Sequence, residues 1–145
     1  MLPGMRPLPS INFSQMKHGL LFFLFLAAGW PACKSTAPFP MHQKSWRLVE
    51  LKYKHPPSNV AISLQFDAGA KRFNGNNSCN AYHGAYTLEG STLKFGPAVS
   101  TKKYCAELAD WESAYMNMLT TVDNYAYRDN QLRLFAGTKV VAVFE

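Results

Sequence analysis

From Trp46 onward, hydrophobic and polar positions alternate in short runs, interrupted once by a run with helical spacing. Alternation sends every second side chain to one face of a strand, whereas spacings of three and four gather side chains on one face of a helix. Trp46-Arg47-Leu48-Val49-Glu50-Leu51 alternates loosely and predicts an opening strand. Pro56-Pro57-Ser58-Asn59 reads as a turn, and Val60 to Phe66 alternates strictly, with Val60, Ile62, Leu64 and Phe66 on one face. Asp67-Ala68-Gly69 turns the chain into Lys71-Arg72-Phe73, and Asn74-Gly75-Asn76-Asn77 is read as a loop from its turn-forming residues. Ala81 to Leu88 and Thr92 to Phe95 predict two strands joined as a hairpin through Glu89-Gly90-Ser91. A crossing segment follows Gly96-Pro97 and runs to Cys105. Ala106 to Val122 predicts the one helix, with Leu108, Trp111, Tyr115, Met118, Leu119 and Val122 on its apolar face. Tyr125 to Tyr127 and Gln131 to Phe135 form another hairpin, and Lys139 to Phe144 is the last strand. Many short strands with one inserted helix predict a mainly β, α+β fold: a small barrel or strongly curved antiparallel sheet closed by the helix at about 106–122.

The region before Trp46 follows a different pattern. Met16-Lys17-His18-Gly19 is a short basic stretch, and Leu20 to Gly29 is an unbroken apolar run. That run suits a secretory signal and is too short to span a bilayer as a stable helix. Ala32 stands directly before Cys33, and the arrangement resembles the lipobox of bacterial lipoproteins, in which the cysteine sulfur receives lipid and becomes the mature N-terminus. Trp30 and Pro31 depart from that motif, which prefers a small aliphatic residue where Trp30 stands. Ordinary cleavage after Ala27-Ala28-Gly29 is the competing reading and leaves Cys33 a free thiol. Residues 1–15 hold three prolines and no apolar run, and are read as an over-extended start. The expected organisation is therefore a signal peptide at 16–32, a lipid-anchored tether at 33–43 and one domain at 44–145. The expected location is the cell envelope, on the periplasmic side of the outer membrane.

Charge adds little to this picture. The net charge is +6, and removing Arg6 and Lys17 with the leader leaves +4. The basic residues are scattered in pairs such as Lys71-Arg72 and Lys102-Lys103, without the stripe that nucleic-acid binding requires. The cysteines add more. Three is an odd number, and if Cys33 carries lipid, Cys79 and Cys105 remain as a pair in an oxidising compartment. A loop of that size stabilises a fold by about 3.5 kcal/mol in the chain-entropy picture.

One stretch carries a family signature. In Gly75-Asn76-Asn77-Ser78-Cys79-Asn80-Ala81-Tyr82-His83-Gly84-Ala85-Tyr86, the residues Gly75, Cys79, Asn80, Tyr82, Gly84 and Tyr86 fill every fixed place of a pattern resembling the META domain (HslJ-like) family. The resemblance continues through Leu93 and Phe95, then Thr101 and Cys105 in Ser100-Thr101-Lys102-Lys103-Tyr104-Cys105, then Glu112, Tyr115 and Leu119. Trp46 and Phe144 lie at its edges. It implies an antiparallel β-fold with a packed helix, similar to the cracked barrel of secretion pilotin lipoproteins, and an envelope location. Members are linked to heat shock, stress tolerance and outer-membrane integrity, and none of these names a reaction.

Catalytic chemistry finds little support in the pattern. Cys79 as a nucleophile with His83 as its base lacks an acid to orient the histidine, and residues four apart on a strand lie about 13 Å apart. Cys79, Cys105, His83 and His55 match no metal-ligand spacing, so no metal and no cofactor is expected. Glu107 and Glu112 fall on different helix faces, which argues against a carboxylate pair, and Glu112 is read as solvated. Asn80 is read as fixing a turn, and Gly75 and Gly84 as positions of positive φ or close backbone approach. The aromatics Tyr82, Tyr86, Phe95, Trp111, Tyr115, Tyr125 and Tyr127 read as core, some of them able to line an apolar groove for a lipid tail or peptide. The resulting expectation is a non-catalytic envelope lipoprotein whose partners are the membrane, through Cys33, and a protein, peptide or lipid ligand. A lysozyme-inhibitor type of lipoprotein and a thiol enzyme using Cys79 are the alternatives.

Overall fold

The computed structural model describes residues 41–42 and 44–145. The start, the signal peptide, the lipidation at Cys33 and most of the tether lie outside the described residues. Along the chain run β1 (Trp46–Leu51), β2 (Ile62–Asp67), β3 (Arg72–Asn77), β4 (Ala81–Glu89), β5 (Thr92–Phe95), β6 (Val99–Ser100), α1 (Ala109–Leu119), β7 (Asn124–Arg128), β8 (Gln131–Ala136) and β9 (Lys139–Phe144). Neighbours pair in the order β3-β2-β1-β9-β8-β7-β5-β4, and β4 returns to β3, so eight antiparallel strands close a ring. The short β6 lies against the first half of β4.

The sequence predicted a small barrel or curved sheet closed by the helix, and the resemblance a cracked barrel; the barrel is instead closed by strand pairing. The difference is β3. Asn74-Gly75-Asn76-Asn77, read as a loop, is the strand that joins β2 to β4. Its alternation was hidden because Asn74 and Asn76 face solvent while Phe73 and Asn77 are buried. The turn falls three residues later, at Asn77-Ser78-Cys79-Asn80, where the Asn77 amide donates to the Asn80 carbonyl at 2.9 Å. Ser78 carries the positive φ of 86° that this turn needs.

Inside the ring, Leu48, Leu64, Phe73, Tyr82, Leu132 and Phe144 pack with Tyr115, Met118 and Leu119 of α1. The helix is shorter than its apolar pattern. Ala106–Leu108 is a 3₁₀ turn, and Val122 is buried beyond the helix end. Thr120 and Thr121 stop α1 by donating their hydroxyls to the Asn117 and Met118 carbonyls at 2.8 and 2.7 Å.

Three irregularities gather around β1 and its neighbour β9. Register shifts between Leu48 and Glu50 on β1. It shifts again where Leu134 and Phe135 of β8 face Ala142 and Val140 of β9. After β1 the chain reverses at Leu51–Lys54, closed by two 2.9 Å backbone bonds, with Lys52 at φ 46° and Tyr53 at φ 67°. Such a turn favours Asn-Gly, so Lys-Tyr gave no turn signal in the sequence.

Candidate functional site

The family-signature residues converge where the β3–β4 turn, the segment before the 3₁₀ turn and the first turn of α1 meet. Asn80 is the centre. Its Nδ2 donates to the Lys103 carbonyl at 3.1 Å and to Glu112 Oε1 at 2.8 Å. Its Oδ1 accepts from Thr101 Oγ1 at 2.7 Å and from the Lys103 amide at 2.8 Å. A side-chain amide has two donors and two acceptor positions, so all four are used. The Asn80 backbone amide donates to Asn77 Oδ1 at 2.7 Å, and Asn77 Nδ2 donates to the same Glu112 Oε1 at 2.8 Å. Both asparagines are buried. Glu112 is therefore an acceptor for two buried amides, not the solvated carboxylate its position suggested.

The Cys79–Cys105 disulfide staples the same two segments with Cα atoms 6.1 Å apart. Below it, Tyr82, Gly84 and Tyr86 of β4 point into the barrel. A Cβ on Gly75 would collide with the Ser63 carbonyl and lie 2.7 Å from the Tyr82 hydroxyl. The missing side chain thus lets the Tyr82 phenol pass across β3 and donate to Ser63 O on β2 at 2.7 Å. Gly84 leaves room for the Phe73 ring, which would lie 2.6 Å from an added Cβ. Neither glycine has positive φ, so close approach is the reason for both. The Tyr82 and Tyr115 hydroxyls bond at 2.6 Å. Burial pushes the ionisation of both far above the ordinary tyrosine range, and both stay neutral.

The other predicted residues lie elsewhere. Trp46 sits in the core with its ring edge-on to Tyr127 at 5.9 Å, and Tyr86 stands edge-on to Phe66 at 5.2 Å. His83 is exposed on β4, whereas Cys79 is buried and bonded to Cys105. No group of three or more His, Cys, Asp or Glu is placed to hold a metal among the described residues. Beside α1, Trp111 and Ala114 line a hollow of 370 Å³ with Leu51, Lys52, Lys54 and Asp110. Sequence reasoning missed Asn77 as a participant, although an asparagine just before the turn was the available signal.

The architecture is that of a small closed β-barrel whose helix α1 is fastened by a disulfide and a node of two buried amides on one carboxylate. The sequence matches the META domain over residues 40–145, and the chain belongs to the META domain family. A similar fold occurs in the NMR structure of a protein from Burkholderia xenovorans, 25% identical, with 80% of this chain and 95% of that chain covered and a TM-score of 0.59. The crystal structure of a DUF4847 family protein from Bacteroides vulgatus ATCC 8482 shares the fold at 15% identity, covering 72% of this chain and 92% of that one, with a TM-score of 0.55. No curated protein matches the sequence.

Proposed function

We propose that this chain is a non-catalytic binding module, tethered in the bacterial envelope through lipid on Cys33 and supporting outer-membrane integrity or stress tolerance. The observation that carries the reading is the internal use of the signature. Cys79 is in a disulfide, and Asn80 and Thr101 bond within the node. Glu112 accepts from two amides. A reactive group would need a free lone pair or thiolate facing a substrate, and these groups face one another. The role of the signature is then to hold the helix on the barrel, which leaves binding to the outer surface. The leader pattern ending in Ala32-Cys33 supports the tether.

Labelling cells with palmitate and titrating thiols of the denatured, unreduced protein test the two halves together. The expected result is label on the wild type, none on Cys33→Ser, and no free thiol at Cys79 or Cys105. Equal label on Cys33→Ser defeats the tether. Free thiols at both cysteines would revive a thiol enzyme.

A further inference from the structure

The three irregularities around β1 and β9 border one hollow on the outside of the barrel. It has a volume of 380 Å³ and is lined by residues of β1, β8, β9 and the turn after β1. The bulge in β1 places Val49 and Glu50 on this surface together, and the one at β9 brings Val140 and Val143 to it. Bulges re-aim side chains in this way beside functional sites. The Leu51–Lys54 turn puts Tyr53 against the hollow, still 70% exposed. Left-handed conformation costs a non-glycine residue about 1–2 kcal/mol, and both Lys52 and Tyr53 adopt it. His55 holds the returning chain down, with Nδ1 at 2.9 Å from the Val49 carbonyl oxygen.

The polar side is ordered in advance. Arg133 Nη2 donates to Gln131 Oε1 at 3.1 Å, and Gln131 Nε2 donates to Glu145 Oε1 at 3.0 Å. Arg133 Nε is shielded from solvent and has no partner. A buried donor left unmatched costs about 1–3 kcal/mol, so the fold tolerates a second penalty at the same place. The barrel core requires neither, because these side chains point outward. Strain gathered at one surface hollow is a mark of function.

We propose that this hollow binds one ring of a neutral saccharide. Charge narrows the class. An anion would face the Glu50 and Glu145 carboxylates, and a cation would face Arg133. A neutral ring with many hydroxyls meets both kinds of group, since each hydroxyl donates once and accepts twice. The Tyr53 ring supplies a flat face whose negative potential attracts the polarised C–H groups of a sugar. Val140 and Val143 give the apolar floor, and the volume suits a small ligand. The inference rests on the binding role proposed above and gives it a ligand class. It fails separately from that reading, which the label and the thiols decide.

The test is an NMR titration of the full ¹⁵N-labelled chain with chitotriose, cellotriose and maltotriose at millimolar concentrations. At least one is expected to shift amides in residues 49–55, 131–133 and 140–145 and to leave the rest unmoved. Tyr53→Gly removes the ring while suiting the left-handed turn, and is expected to weaken binding about tenfold without lowering the melting temperature. Tyr53→Phe is expected to bind within about twofold of the wild type. Gln131→Ala, which leaves the turn untouched, is expected to weaken binding about fivefold and serves if the glycine variant misfolds. No shift with any of the three sugars overturns the proposal. So does undiminished binding by Tyr53→Gly and Gln131→Ala, or shifts produced by trialanine and by none of the sugars.

Discussion

At the residue scale, Asn80 joins three segments that are distant in sequence, because a carboxamide presents donors and acceptors on one small planar group. Aspartate has nearly the same shape but no donors. In Asn80→Asp the donor facing Glu112 at 2.8 Å becomes a second carboxylate oxygen, and a buried anion then repels the half-buried Glu112. Urea unfolding at neutral pH is expected to show a loss of about 3 kcal/mol or more. Tyr115 sets an alkaline dependence. Its folded ionisation lies above that of the unfolded chain, so its contribution is complete below pH 10.0 and falls as pH rises past that value. Each such tyrosine steepens the loss by about 1.4 kcal/mol per pH unit, and stability measured against pH is expected to fall more gently in Tyr115→Phe.

At the element scale, strands were legible wherever an apolar residue marked every inward position. β1 and β9 have the bounds that alternation gave them, Trp46–Leu51 and Lys139–Phe144. β3 was not legible because two of its inward positions are Gly75 and Asn77, a space left for a phenol and a buried amide. Both act through partners far along the chain, Tyr82 and Glu112, which local pattern does not reveal. The same holds for the candidate site: apart from Asn77, its side chains were legible from the signature, but the bonds among them were not. The node also indicates what the disulfide restrains. The segment from Thr101 to the 3₁₀ turn has no core residue of its own and is held by Asn80 and Cys79. Reducing the disulfide is expected to cost about 3.5 kcal/mol by denaturant titration. Hydrogen exchange is expected to quicken first in residues 101–108, while β8 and β9 keep their protection.

At the scale of the whole molecule, the ring is unevenly sealed. β8 and β9 share five register pairs along their length. β5 and β7 share one, Thr92 with Asn124, flanked by backbone bonds from Leu93 to Asp123 at 3.2 Å and from Tyr125 to Ser91 at 3.0 Å. A peptide chain leaves the ribosome in one direction, and here that order matters. The first strand lies between β2 and the last, and Arg47 exchanges both backbone bonds with Glu145 at 2.8 and 2.9 Å. Until β9 has been synthesised, β1 has an open edge and the ring has no final member. The early strands must wait in an incomplete sheet, and the domain reaches its closed form only when the two ends of the barrel sequence meet.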